Sequence, residues 1–235
     1  MVTSEEGSRN RNPSEPSPVV TTLEHYERCI DEGIDPCEDD PLLQHYMARW
    51  DGVRFFELLG DLEDKAVLEV GVGTGRLACR VLARGCAKFT GIDLSPKTIL
   101  RARRNLSDFT NLELLVADIE AFTRPQAYDV AYSVLTFMHV ADKARALANI
   151  VTALRPGGSV VLSIDQASPW LEFGNRRVKL YPIAPDAYTR WLTRLGCRVE
   201  PPEPLIDMWV DAEGRRSETF GRPIATLVRA TKPKN

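Results

Sequence analysis

The run Val67-Leu68-Glu69-Val70-Gly71-Val72-Gly73-Thr74-Gly75-Arg76-Leu77 limits the fold more than any other stretch of the chain. An apolar run that reads as a buried strand ends at Gly71. Three glycines follow at alternate positions, and a helical pattern starts at once. This is a strand–loop–helix unit whose loop backbone can approach a ligand closely. Gly71 permits the tight turn, Gly73 removes a side chain where a ligand must lie, and Gly75 lets the helix pack near the strand. The free N–H groups at the start of that helix suit an anionic group.

A glycine loop alone occurs in many nucleotide-binding domains. Two details narrow it. The spacing is GxGxG, because position 76 is arginine, and an acid, Glu69, stands two residues before the first glycine inside the strand. An acid-x-Gly-x-Gly-x-Gly run of this kind resembles the first motif of the class I S-adenosylmethionine (SAM)-dependent methyltransferases.

From Val67 onward, strand and helix patterns alternate, which predicts a parallel sheet covered on both faces. A helix over about 74–84 places Leu77 and Val81, and Ala78 and Leu82, at i,i+4 spacing before Gly85 stops it. Ala87 to Asp93 reads as a strand ending in an acid, with Ser95 as N-cap and Pro96 as the first residue of the next helix. Leu112–Ala117 and Tyr128–Val134 follow as strands, Asp142–Leu154 as a helix, and Ser159–Ile164 as a strand. A helix over Ala184–Leu195 and strands near 197–200 and 225–231 imply an antiparallel final pair. The resemblance implies the same architecture: a doubly wound α/β sheet of seven mostly parallel strands, Rossmann-like, whose last strand is antiparallel. Upstream, 42–59 reads as two helical pieces. The expected organisation is a disordered, polar tail over 1–20, a helical cap over 21–60 and the methyltransferase domain over 61–235.

The size fits one domain, with 235 residues of which 43% are hydrophobic. A net charge of −3 gives no electrostatic reason to expect a nucleic acid as partner. No apolar run approaches a membrane span, the N-terminus lacks a secretory pattern, and five scattered cysteines form no CxxC pair. A cytoplasmic protein with reduced thiols and no metal site is therefore expected, its oligomeric state open.

In an open parallel sheet, ligands bind beyond the carboxyl ends of the strands. There the resemblance implies a SAM site, with S-adenosylhomocysteine (SAH) as product. It assigns cofactor contacts to the Gly71, Gly73 and Gly75 loop and to Glu69, and the methionine end to backbone near Ser133. The ribose hydroxyls fall to Asp93 with Leu94 beside it, and the adenine to Asp118 and Ile119. Glu69 can equally serve only to fix the loop. His139, after the fourth strand, is the candidate base, an imidazole of suitable pKa where the acceptor should sit; a structural role is the alternative. Tyr46, Tyr132, His139, Asp165, Trp170 and Tyr181 are candidate acceptor contacts. The long connection 166–183 reads as a lid, in which Arg176, Arg177 and Lys179 can meet an acidic acceptor, or as a solvated hairpin. Asp/Asn-Pro-Pro-Tyr, Pro-Cys and paired-glutamate signatures of DNA and protein-arginine enzymes are missing after the fourth strand. A small-molecule acceptor is left, methylated on oxygen, nitrogen or carbon. The alternatives are an NAD(P)-dependent oxidoreductase and a non-catalytic SAM-binding protein.

Overall fold

A computed structural model describes residues 17–165 and 168–234. In chain order the elements are β1 (Val19–Val20), α1 (Thr22–Asp31), α2 (Pro41–Met47), α3 (Gly52–Leu59), β2 (Ala66–Val70), α4 (Arg76–Leu82), β3 (Lys88–Asp93), α5 (Pro96–Asn105), β4 (Leu112–Val116), β5 (Tyr128–Val134), α6 (Lys143–Ala153), β6 (Leu154–Asp165), β7 (Trp170–Phe173), β8 (Arg176–Lys179), α7 (Pro185–Arg194), β9 (Arg198–Val199), β10 (Glu203–Ile206) and β11 (Pro223–Thr231).

The large sheet runs β10-β11-β6-β5-β2-β3-β4. The five strands from β6 to β4 are parallel, and β11 lies antiparallel to β6. The outer edge of β11 is shared by β10 and the short β9, so the sheet has eight strands where seven are expected; β10 is the addition, in a stretch that reads as polar. Side chains alternate between two cores. Val67, Val130, Tyr132 and Val161 join Leu77, Val81 and Ile99 on one face, while Leu68, Ala131, Val160 and Leu162 join Leu147 and Ile150 on the other. Burial on both faces is why these strands read as unbroken apolar runs. Burying one leucine in such a core contributes roughly 2 kcal/mol.

Chain order reverses between β2, which leads away to β3, and β5, which returns beside it. That switch point opens a crevice at the carboxyl ends of the strands. Two segments roof it. One is α1, whose N-cap Thr21 accepts from the Glu24 N–H at 3.1 Å. The other is the β7–β8 hairpin, which with β1 makes a small separate sheet. Val19 and Val20 pair in parallel with Arg177 and Val178, so the end of the expected tail is a strand; residues 1–16 of that tail lie outside the described residues. No helix among the described residues is long and apolar enough to cross a membrane.

Candidate active site

The crevice holds a cavity of about 800 Å³. Its floor is the glycine loop. The N–H groups of Gly71 and Val72 both donate to Ile92 O, at 2.9 and 3.0 Å, which folds the loop over the end of β3. Gly71 has φ +77°, and a Cβ there would lie 2.0 Å from the Thr136 hydroxyl oxygen. Gly73 differs: a Cβ would meet no atom within 4 Å, so its bare face looks into open space. The loop is therefore packed from outside at Gly71 and vacant on the cavity side at Gly73, as the sequence reading requires.

Asp93 fixes this geometry. One carboxylate oxygen accepts from Gly73 N at 3.1 Å and the other from Ser95 N at 3.0 Å. Burial raises its pKa above the usual carboxylate range, against those N–H groups. It lines the cavity, and a carboxylate has about four lone-pair sites, more than the N–H groups of Gly73, Leu94 and Ser95 occupy. Leu94, Asp118 and Ile119 continue the wall; Asp118 is exposed and accepts from Glu120 N at 2.8 Å. The wall continues through Val134, Leu135 and Thr136, where Leu135 adopts φ +55°, a strained conformation for a leucine.

Glu69 borders the cavity but is 3% exposed, and it accepts from the Tyr132 hydroxyl at 2.7 Å. Burial pushes its pKa well up. Its partner is thus a neighbouring strand rather than the loop backbone.

At the far end of the cavity Tyr26 of α1 meets His139, with the hydroxyl 2.9 Å from Nε2 and the rings edge to face. Burial, then His25 and Lys143, lower the His139 pKa to about 4, so the imidazole is neutral at pH 7. Burial and Asp93 raise the Tyr26 phenol far above its usual range, so it keeps its proton. Two groups without acidic or basic charge at neutral pH therefore share a hydrogen bond between roof and floor. Around them the wall is mostly apolar: Val20, Leu23, Met47, Met138, Val178 and the Tyr181 ring.

Four sequence-derived candidates lie elsewhere. Tyr132 is fully buried against Glu69, and Ser133 is 1% exposed with its hydroxyl donating to Val70 O at 2.8 Å. Both sit one strand-step too deep to reach the cavity. Tyr46 packs edge-on to Trp50 and Trp209 and lines a second cavity of about 640 Å³. Trp170 lies beneath the Arg177 guanidinium, 4.5 Å from its ring centroid, and is not part of the first cavity's wall. A fifth candidate, Asp165, ends β6 with its backbone opposite Ala225. Of the three cations on the hairpin only Lys179 reaches the cavity wall, since Arg176 is buried and faces α1. Sequence reading missed Tyr26 and Thr136; the Thr21…Glu24 capping pair is the signal that could have revealed α1 and hence Tyr26.

Residues 67–158 match the sequence model of a methyltransferase-domain family. A malonyl-[acyl-carrier protein] O-methyltransferase of Ilyobacter polytropus is 31% identical over 135 residues, 52% of this chain and 50% of the relative. A tRNA U34 carboxymethyltransferase of Cellvibrio japonicus is 31% identical over 154 residues, 60% of this chain and 47% of the relative. The chain spans about half the length of these curated relatives. The crystal structure of a SAM-dependent methyltransferase from Mesorhizobium loti superposes with a TM-score of 0.64 at 25% identity, covering 78% of this chain and 100% of that one.

Proposed function

We propose that this chain, whose residues 67–158 match a methyltransferase-domain family, is a class I SAM-dependent methyltransferase that transfers a methyl group from SAM to a small, largely apolar acceptor. The observation that carries this reading is the open face of Gly73, on the wall of the cavity, beside the amide-held Asp93 carboxylate. Asp93 would accept from the ribose hydroxyls, with Asp118 and Ile119 beside the adenine. The Gly71–Gly75 backbone and the Leu135–Thr136 turn would flank the methionine end. When bound, SAM supplies an electrophilic methyl on a sulfonium.

The residues of this chain then position the nucleophile and handle its proton. The acceptor atom forms a bond to the methyl carbon as the carbon–sulfur bond breaks and the electron pair stays on sulfur, leaving SAH. If the acceptor carries an O–H or N–H, Tyr26 Oη is placed to accept that proton while passing its own to His139 Nε2. An imidazole whose pKa is about 4 is a weak base. It therefore suits an acceptor that is itself acidic, such as a carboxylic acid, phenol or enol, better than an aliphatic alcohol. The apolar wall and the net charge of −3 favour a small molecule over a nucleic acid. The free cysteines suit a reducing compartment, in line with a cytoplasmic setting.

The first test is calorimetric titration with SAH, with NAD as control. Micromolar binding of SAH alone is expected; binding of NAD alone would overturn the reading. With an acceptor in hand, Tyr26→Phe should lower kcat about 100-fold and change SAH affinity less than about threefold. An unchanged kcat would remove the phenol from the proton path.

A further inference from the structure

Arg176 sits in β8 with 1% of its surface exposed, a charged side chain enclosed by protein. Apart from a contact with the neighbouring Asn175, its hydrogen bonds all go to α1 or that helix's C-cap. Its two terminal nitrogens donate to both carboxylate oxygens of Glu32, at 2.6 and 2.8 Å. Its Nε donates to His25 Nδ1 at 3.0 Å, and Nη2 approaches the Cys29 sulfur at 3.4 Å. His25, Cys29 and Glu32 recur at i, i+4 and i+7, so they form one face of the helix. Phe173, from the other strand of the hairpin, completes the enclosure: the guanidinium lies 4.8 Å from its ring centroid, and His25 meets the same ring edge-on.

We infer that Arg176 is a positioning residue, a latch that holds α1 over the cavity and makes the hairpin and the helix open as one body. The helix that it holds carries Tyr26 to His139. The hairpin that holds it supplies Val178 and Lys179 to the acceptor end of the cavity. Acceptor wall and cofactor roof are thus tied through one guanidinium. Among the described residues, the ion pair from α1 itself to the body of the domain, Asp31 with Lys97, is exposed on both sides and exposed pairs hold weakly, while Arg101 fastens the buried Asp35 of the loop that follows the helix. The fork-to-carboxylate geometry is different in kind. It is bidentate, its guanidinium is enclosed although the Glu32 carboxylate is partly exposed, and losing Glu32 leaves a buried cation without its counter-charge. A lysine offers one point of contact where arginine offers a fork, so it does not replace it.

The inference depends on the methyl-transfer reading only for the ligand retained, so its test has two arms. The first is hydrogen exchange of the full chain without ligand. In Arg176→Gln, and in Glu32→Gln, whose carboxylate is partly exposed and outside the cavity wall, amides of residues 25–31 should exchange at least about tenfold faster, with β2 and β5 unchanged. Exchange within twofold of wild type in a folded Glu32→Gln protein overturns the latch, even if Arg176→Gln fails to fold. The second arm is stopped-flow dissociation of SAH. The off-rate should rise at least about fivefold in Glu32→Gln and in Arg176→Lys, which keeps the charge but loses the fork. Off-rates equal to wild type alongside faster exchange would reduce Arg176 to a stabilising contact and overturn its positioning role. Wild-type protein that does not bind SAH at all overturns the methyl-transfer reading, and the exchange arm then decides the latch alone.

Discussion

The floor and the roof of the cavity are built on different principles. The floor is backbone: the glycine loop is held by main-chain bonds to Ile92 and by one carboxylate, Asp93, that reads main-chain N–H groups. The roof is side chain: Tyr26 to His139 and Arg176 to Glu32 and His25 bridge 113 to 151 positions of sequence. A backbone floor is set by main-chain geometry, and at Gly71 it has no room for a Cβ. A roof held by a few polar side chains can be released by changing one of them. The comparison suggests a division of labour in which the floor fixes the cofactor and the roof admits and releases it.

The largest effects should come from breaking the floor, and two glycines separate its structural from its binding duty. Gly71→Ala places a Cβ 2.0 Å from Thr136 Oγ1 at φ +77°. It should cost about 3 kcal/mol or more in stability, measured by denaturant unfolding, and abolish SAH binding with it. Gly73→Ala meets no protein atom and should cost only about 1 kcal/mol for its positive φ. Yet it should weaken SAH binding at least about 100-fold, because the new methyl occupies the ligand's place. Equal affinity for Gly73→Ala and wild type would move the cofactor off this loop.

Asp93 tests the floor more gently. Asp93→Ala removes the acceptor for Gly73 N and Ser95 N together with the proposed ribose contact. SAH affinity should fall by about 1–3 kcal/mol by calorimetry. If affinity is unchanged, the ribose site lies elsewhere.

The same contrast explains what could be read in the sequence. The floor was legible because its signals are local: glycines at alternate positions, an acid at the end of the next strand, and Ser95 with Pro96 opening the helix behind it. Each meaning is fixed within a few residues. The roof was not, because its meaning depends on distant partners. Arg176 stands in a polar stretch that reads equally as a lid or as a solvated hairpin, and its burial follows from Glu32, 144 residues away. Tyr132 and Ser133 lie near the exit of β5 and read as ligand contacts. Their hydroxyls are instead spent on Glu69 and Val70 of the adjacent strand, each 63 residues away. His139 was visible as a polar residue at the right exit, but its partner Tyr26 required α1 to be placed first.

Acid should loosen the roof before the floor. Burial, then Arg176, lower His25 to about 4, and burial lowers His139 to the same range, against about 6.5 for free imidazole. Both rings are neutral in the folded protein at pH 6, whereas the unfolded chain takes up protons below about 6.5. Their contribution to stability is therefore complete above pH 6.5 and is lost as pH falls from about 6.5 to about 4, by roughly 2 kcal/mol for a ring as buried as His25. The His25 and His139 imidazole resonances followed by NMR should show no titration above about pH 5, and exchange of α1 should quicken before that of β2. A ring that titrates near 6.5 would mean that it faces water and that the roof is open at rest.

The smallest effect belongs to Glu69, and it decides whether this acid serves the floor or the ligand. A carboxyl that is 3% exposed, bonded to Tyr132 and pushed well up in pKa by burial has its hydrogen bonding committed to the neighbouring strand. Glu69→Gln keeps the shape and keeps an oxygen for the Tyr132 hydroxyl. Stability should change by less than about 1 kcal/mol, and SAH affinity by less than about threefold. A substantial loss of affinity with stability intact would instead mean that Glu69 holds its charge toward the cavity and pairs with the cationic amino group of the methionine end. In that case the floor would bind its ligand through a buried side chain as well as through its backbone.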